Sequence, residues 1–166
     1  MTTGLKWSGD AFRKLRRSAT VAGMPAPYHA IVLEHQRQPR NFGALPGFTH
    51  AANGDNALCG DHLRMELECR DGRIVALRFS GDSCAIATAS ASMLSEIVAG
   101  CDAASIAGLK TRLHALVNGE IESDAALGAL NALGQLRHYP SRRKCALLPW
   151  ATLSAALAGT ADATTE

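Results

Sequence analysis

The sequence predicts an α+β fold: a small antiparallel three-stranded sheet with helices packed on one face. Three observations point there. Residues 62–70 and 73–79 alternate apolar and polar side chains on either side of Asp71-Gly72, the pattern of a half-buried hairpin. Several stretches after residue 84 carry apolar residues at helical spacing between Gly, Asn and Pro breaks. With 166 residues and 47% hydrophobic content, the chain can bury one core of ordinary domain size without a metal to staple it.

The elements follow in order. Residues 1–23 hold Lys6, Arg13, Lys14, Arg16 and Arg17 against Asp10, so the chain's net charge of +2 belongs to a basic, flexible N-terminal arm. A basic, acid-poor leader of this kind also reads as an organelle presequence. The folded domain is expected over 24–159, where Pro25 and Pro27 lead into a helix over 28–37 that Pro39 ends. Residues 42–54, rich in Gly and Asn, read as a loop or a weak edge strand leading to Cys59. In the hairpin, a two-residue Asp71-Gly72 loop pairs Arg70 with Arg73 and sets Leu67 opposite Ala76, splitting the apolar rows. A three-residue loop with Gly72 left-handed pairs Leu67 with Leu77 and Met65 with Phe79, and is preferred.

That face, with Leu63, Met65, Leu67, Cys69, Val75, Leu77 and Phe79, needs a cover of helices. Small residues over 84–98 suit close packing on a sheet, with Asp82 or Ser83 as N-cap and Gly100 beyond the end. A second helix over 105–117 stops at Asn118-Gly119. A third over 124–136 places Leu127, Leu130 and Leu133 on one face, and a last, capped by Ser141, runs to about 158. Pro149 is tolerated if that helix starts near 144–147. Residues 160–166 read as a disordered tail.

Composition excludes several functions. No apolar run reaches membrane-spanning length, so no membrane partner is expected. With 5% aromatics and no basic-aromatic stripe there is no case for nucleic acid. Five cysteines at irregular spacing without a secretory signal argue against a disulfide framework and for a reducing, cytoplasmic setting.

The chemistry sits in Cys59, Asp61, Cys84 and Cys145. Three thiolates and a carboxylate complete one tetrahedral zinc shell, and an aspartate among thiolates suits a site built to open. Cys84 and Cys145 are each expected at a helix's first turn, which favours thiolate over thiol. Cys69 and Cys101 read as small buried hydrophobes. His62 alternates outward beside Asp61 and is the histidine to watch as a donor to a ligand; His29, His35, His50, His114 and His138 read as surface residues.

The order Asn56-x-x-Cys59-Gly60-Asp61, a strand hairpin, Gly81-x-x-Cys84-Ala85-Ile86-x-x-Ala89-Ser90-Ala91-Ser92, then a basic residue before Cys145, resembles the IscU/NifU-N-terminal family of iron–sulfur cluster assembly proteins over about 28–157. Lys144 stands where the IscU-type scaffold has a histidine, and Tyr139-Pro140-Ser141-Arg142-Arg143 where it has a Leu-Pro-Pro-Val-Lys motif. Cys84 and Cys145 are also 61 positions apart, longer than in scaffolds. These features resemble the SufU branch. Ala57, where the family commonly has proline, is a minor departure.

The resemblance implies a zinc-bound sulfur acceptor for a cysteine desulfurase of the SufS type, passing sulfur to downstream iron–sulfur assembly or recipient proteins. Cys59 and Arg142 are then the catalytic pair, as acceptor and charge stabiliser, and Cys59, Asp61, Cys84 and Cys145 are the metal ligands. Replacing Asp61 is then expected to slow transfer more than it costs stability. Three other readings stay open. The chain could be a scaffold assembling a transient [2Fe–2S] cluster on Cys59, Cys84 and Cys145. It could be a structural zinc domain that binds a partner. It could be a thiol hydrolase using Cys84, which needs a base, and no histidine lies near Cys84 in sequence.

Overall fold

The computed structural model describes residues 30–165. The arm over 1–23, the prolines at 25 and 27, Tyr28 and His29 lie outside the described residues. Strands β1 (His50–Asn56), β2 (Asp61–Arg70), β3 (Arg73–Asp82) and β4 (Asp162–Thr164) form one sheet in the order β3-β2-β1-β4. Helices α1 (Ala30–Arg37), α2 (Ala85–Ile97), α3 (Ala103–Asn118) and α4 (Pro140–Ala158) accompany it, with a 3-10 segment, Ala125–His138, between α3 and α4. The α+β class holds, with two changes to the sheet. β1 is an interior strand, and the tail expected to be disordered supplies a fourth strand, parallel to β1 through Asn53–Asp162, Gly54–Ala163 and Asp55–Thr164. The backbone groups on the outer edge of β1 need partners, and the tail provides them.

The hairpin keeps the expected register by other means. Leu67 does face Leu77 and Met65 faces Phe79, yet Arg70 pairs with Arg73 across a two-residue turn. Asp71 and Gly72 are both left-handed, at φ 51° and 73°, the turn whose twist matches a hairpin. A bulge between Glu68 and Cys69 on one side and Val75 on the other restores the register. Val75 is consequently 47% exposed, and Ile74, at 1%, replaces it in the core.

α4 lies across β1 and β2 while α2 packs on α1, α4 and β3, closing a core that includes Trp150, Phe79, Met65 and Leu94. α2 is capped by neither Asp82 nor Ser83 but by Cys84, whose Sγ accepts from the Ala87 amide at 3.5 Å. α3 starts earlier than expected because Asp102 caps it. The stretch expected as an α-helix over 124–136 is a 3-10 segment, broken at Gly128 (φ 50°, ψ −124°). There the Asn131 side chain bonds the carbonyls of Asp124 and Gly128 and accepts from the Asp124 amide, which competes with the α ladder.

α4 begins at Pro140, so Pro149 stands inside the helix and removes the amide that the Cys145 carbonyl would otherwise bond. The next carbonyl, that of Ala146, accepts from Ser90 Oγ at 2.7 Å, pinning α4 to α2 beside Cys145. His35, expected at the surface, is 3% exposed. Its Nδ1 is hydrogen-bonded to Ser92 Oγ at 2.7 Å, an oxygen that also accepts from the Arg40 amide. Burial, then Arg40, holds the His35 imidazole below its usual pKa. Among the described residues no helix is long and apolar enough to cross a membrane.

Gly54 sets the distance between β1 and α4. A Cβ there would lie 1.9 Å from Thr152 Oγ1. Gly54→Ala is expected to lose about 1–3 kcal/mol in urea unfolding, and Thr152→Ala in the same chain to recover roughly half or more by removing the clashing oxygen. An undiminished Gly54→Ala protein would refute the close approach.

Candidate metal centre

β1 ends at Asn56 and β2 starts at its cross-strand partner Asp61, so residues 57–60 form a four-residue loop between paired positions. Gly60, at φ 66°, makes the left-handed step that returns the chain into β2. The loop is open to solvent: Leu58 is 68% exposed. Cys59, half-buried, turns inward against α4, where its Sγ lies 2.9 Å from Cys145 Sγ.

Asp61 has no solvent exposure. Its Oδ1 accepts from the Cys84 backbone amide at 2.7 Å and its Oδ2 from Asn56 Nδ2 at 3.3 Å. The carboxylate therefore bonds the amide at the start of α2, where the helix dipole favours an anion. Cys145 is fully buried in α4, in its second turn rather than its first because the helix starts at Pro140. The terminal-turn preference for thiolate thus applies to Cys84 alone.

The donor atoms of Cys59, Asp61 and Cys145 all lie within 4.8 Å of one another. Cys84 stands outside this tight trio but interacts with two of its members, through its amide to Asp61 and its thiol to Cys145. The hydrogen bond from Cys145 lowers the Cys84 thiol to about 7, with burial opposing and the Ala87 amide assisting. Donating that hydrogen bond, together with burial, drives Cys145 strongly upward. Soft sulfurs in contact beside one buried carboxylate suit a single divalent ion.

Arg142, expected beside the site, places Nη1 3.6 Å from Cys59 Sγ. Lys144 is half-buried just before Cys145. His62 does not serve Asp61; strand parity turns it outward, where its Nδ1 pairs with Asp55. Cys69 and Cys101 are half-buried against the core, outside the cluster. Asn56 received no role from the sequence, although the inward positions of β1, Ala52, Gly54 and Asn56, carry the signal that its side chain is buried.

The model of the NifU-like N terminal domain family matches residues 27–146. The chain belongs to this family. A zinc-dependent sulfurtransferase SufU of Bacillus subtilis is 31% identical to this NifU-like chain over 139 residues, covering 82% of the chain and 93% of the relative. An iron–sulfur cluster assembly scaffold protein IscU of Streptococcus pyogenes is also 31% identical, over 137 residues, covering 82% and 86%. A crystal structure named for a SUF-system cluster assembly scaffold of Fervidobacterium islandicum superposes with a TM-score of 0.73 at 26% identity, covering 78% of this chain and 96% of that one. This NifU-like protein therefore falls within the iron–sulfur cluster assembly family to which sulfurtransferase and scaffold relatives both belong.

The Asp61 hydrogen bonds add a stability cost to its replacement, to be weighed against the expected cost to transfer. Asp61→Ala leaves the Cys84 amide without its partner, and the metal-free protein is expected to lose about 1–3 kcal/mol in urea unfolding. Asp61→Asn, which keeps an acceptor for that amide, is expected to lose clearly less. Equal losses in the two variants would show that the bond to Cys84 contributes nothing.

Proposed function

We propose that this protein is a zinc-dependent sulfur acceptor in iron–sulfur cluster biogenesis, taking persulfide sulfur from a cysteine desulfurase and passing it to downstream assembly or recipient proteins. The observation that carries the reading is the placement of Cys59 in a solvent-open loop, its sulfur touching both Cys145 and the Arg142 guanidinium. The SufU relative's zinc dependence supports it. So does the donor cluster, which among the described residues contains no imidazole.

Cys59, Asp61, Cys84 and Cys145 are the residues that would hold the ion. Bound zinc would supply positive charge that keeps the thiols deprotonated without redox chemistry of its own. In the transfer, the Cys59 thiolate attacks the terminal sulfur of the desulfurase's persulfide. A sulfur–sulfur bond forms at Cys59 as the persulfide's own bond breaks, and the desulfurase cysteine leaves as a thiolate. The Arg142 guanidinium, beside Cys59 Sγ, offsets the negative charge on the attacking sulfur. Burial of Asp61 and Cys145 keeps those groups from competing for the incoming sulfur.

The test is anaerobic purification, metal and sulfide analysis, and desulfurase turnover with and without the protein. The expected result is one zinc per chain and a stimulation of turnover that falls about tenfold or more in Cys59→Ala. Arg142→Ala is expected to keep its zinc and lose part of the stimulation. Iron with acid-labile sulfide would make the protein a scaffold, and zinc with stimulation untouched by Cys59→Ala would make it a partner-binding zinc domain.

A further inference from the structure

Asn56 takes no part in the transfer just described, yet it sits at the centre of the site. As the last residue of β1 and the cross-strand partner of Asp61, it sends its side chain to the same inward face. It has no solvent exposure. Its Nδ2 donates to Asp61 Oδ2 at 3.3 Å and to Cys145 Sγ at 3.6 Å, while its Oδ1 is buried without a hydrogen-bond partner. A buried amide with one end unsatisfied is a costly way to close a hairpin, since an apolar side chain of similar shape would avoid that desolvation. Folding alone does not account for it.

We propose that Asn56 is a positioning residue: its amide clamps the Asp61 carboxylate and the Cys145 sulfur together as the fixed half of the metal site, leaving Cys59 as the donor free to exchange. The two amide hydrogens serve two acceptors that are both negative when ligating, which relieves their mutual repulsion. The second oxygen of Asp61 is bonded to the Cys84 amide. One hydrogen-bonded chain thus runs from Cys145 on α4 through Asn56 and Asp61 to the start of α2, joining three of the four donor residues. Cys59 joins from the open loop beside Leu58, its amide donating to the Asn56 carbonyl at 3.2 Å and its Sγ touching Cys145 and Arg142, while the Asn56 side-chain amide bonds Asp61 and Cys145 rather than the Cys59 sulfur. The exchange role of Cys59 rests on the sulfur-acceptor reading; the clamp itself concerns metal affinity.

The experiment compares wild type, Asn56→Leu and Asn56→Ser. It measures metal-free thermal unfolding, zinc affinity by competition with a chromophoric chelator, and the ligand-field spectrum of the cobalt(II)-loaded protein. The expected result is a metal-free melting temperature in Asn56→Leu no lower than wild type, with zinc affinity down about 10–100-fold and shifted cobalt bands. On an Asp61→Ala background the same substitution is expected to lose most of its effect, because the clamp has less to hold. Zinc affinity within about threefold of wild type in both variants would overturn the proposal. So would failure of both variants to fold without metal, which would make the amide a folding element. A wild-type protein that binds zinc without stimulating a desulfurase ends the sulfur-acceptor reading and leaves the clamp standing on the affinities. Stimulation in wild type with unchanged zinc affinity in Asn56→Leu ends the clamp alone.

Discussion

A carboxylate withdrawn from water must be bonded by the protein, and Asp61 is such a group. Its two oxygens are met by the Cys84 amide and the Asn56 side chain, which brings the base of one hairpin against the start of α2. That contact anchors both ends of the four-residue loop between Asn56 and Asp61, whose Leu58 stands in solvent. α4 completes the arrangement because it approaches β1 over the bare backbone of Gly54 and is tied to α2 by Ser90. Cys145 is thereby delivered under the loop, within reach of Cys59.

This arrangement sets the open Cys59 loop against a fully buried core. Trp150, Phe79, Met65 and Leu94 are fully buried in a core of 29 buried apolar residues among those described, of which Cys145 is the one proposed metal donor. A core of this size is expected to stay folded without an ion, in contrast to small zinc modules whose folding free energy is the binding free energy. On the proposed reading, the centre would release a ligand without unfolding the domain. Relatives at equal identity include a zinc-dependent sulfurtransferase and a cluster scaffold, so the fold does not select between these chemistries. The proposed reading rests instead on the residues around the thiols, where Arg142 touches the exposed loop's sulfur and, among the described residues, no imidazole stands among the clustered donors.

Much of this was legible in the sequence. The hairpin register followed from the parity of Met65, Leu67, Leu77 and Phe79, because a one-residue slip would expose all of them. The turn was not legible, since Ile74 and Val75 are equally apolar and nothing in their order says which one a bulge expels. β4 was hidden because Asp162–Thr164 has no apolar alternation and exists only through the edge that β1 offers. His35 was hidden because Ser92, which satisfies it, lies 57 residues away. The 3-10 segment kept a helical leucine spacing while Gly128 and Asn131 broke the ladder. The site was legible as cysteines in boundary contexts together with Asp61 and Arg142. The hydrogen bonds that orient them were not, because Asn56, Asp61 and the Cys84 amide meet only after the sheet and α2 have packed.

The central claim is that Cys59, Asp61, Cys84 and Cys145 form one centre around one divalent ion, with Cys59 the exchangeable donor. X-ray absorption at the zinc edge of the anaerobically purified protein tests it most directly, by counting sulfur and lighter neighbours in wild type and in Cys59→Ala. The account predicts three sulfurs and one oxygen in wild type, with one sulfur lost and the metal retained in the variant. Fewer than three sulfurs in wild type, or an undiminished sulfur count in Cys59→Ala, would contradict it.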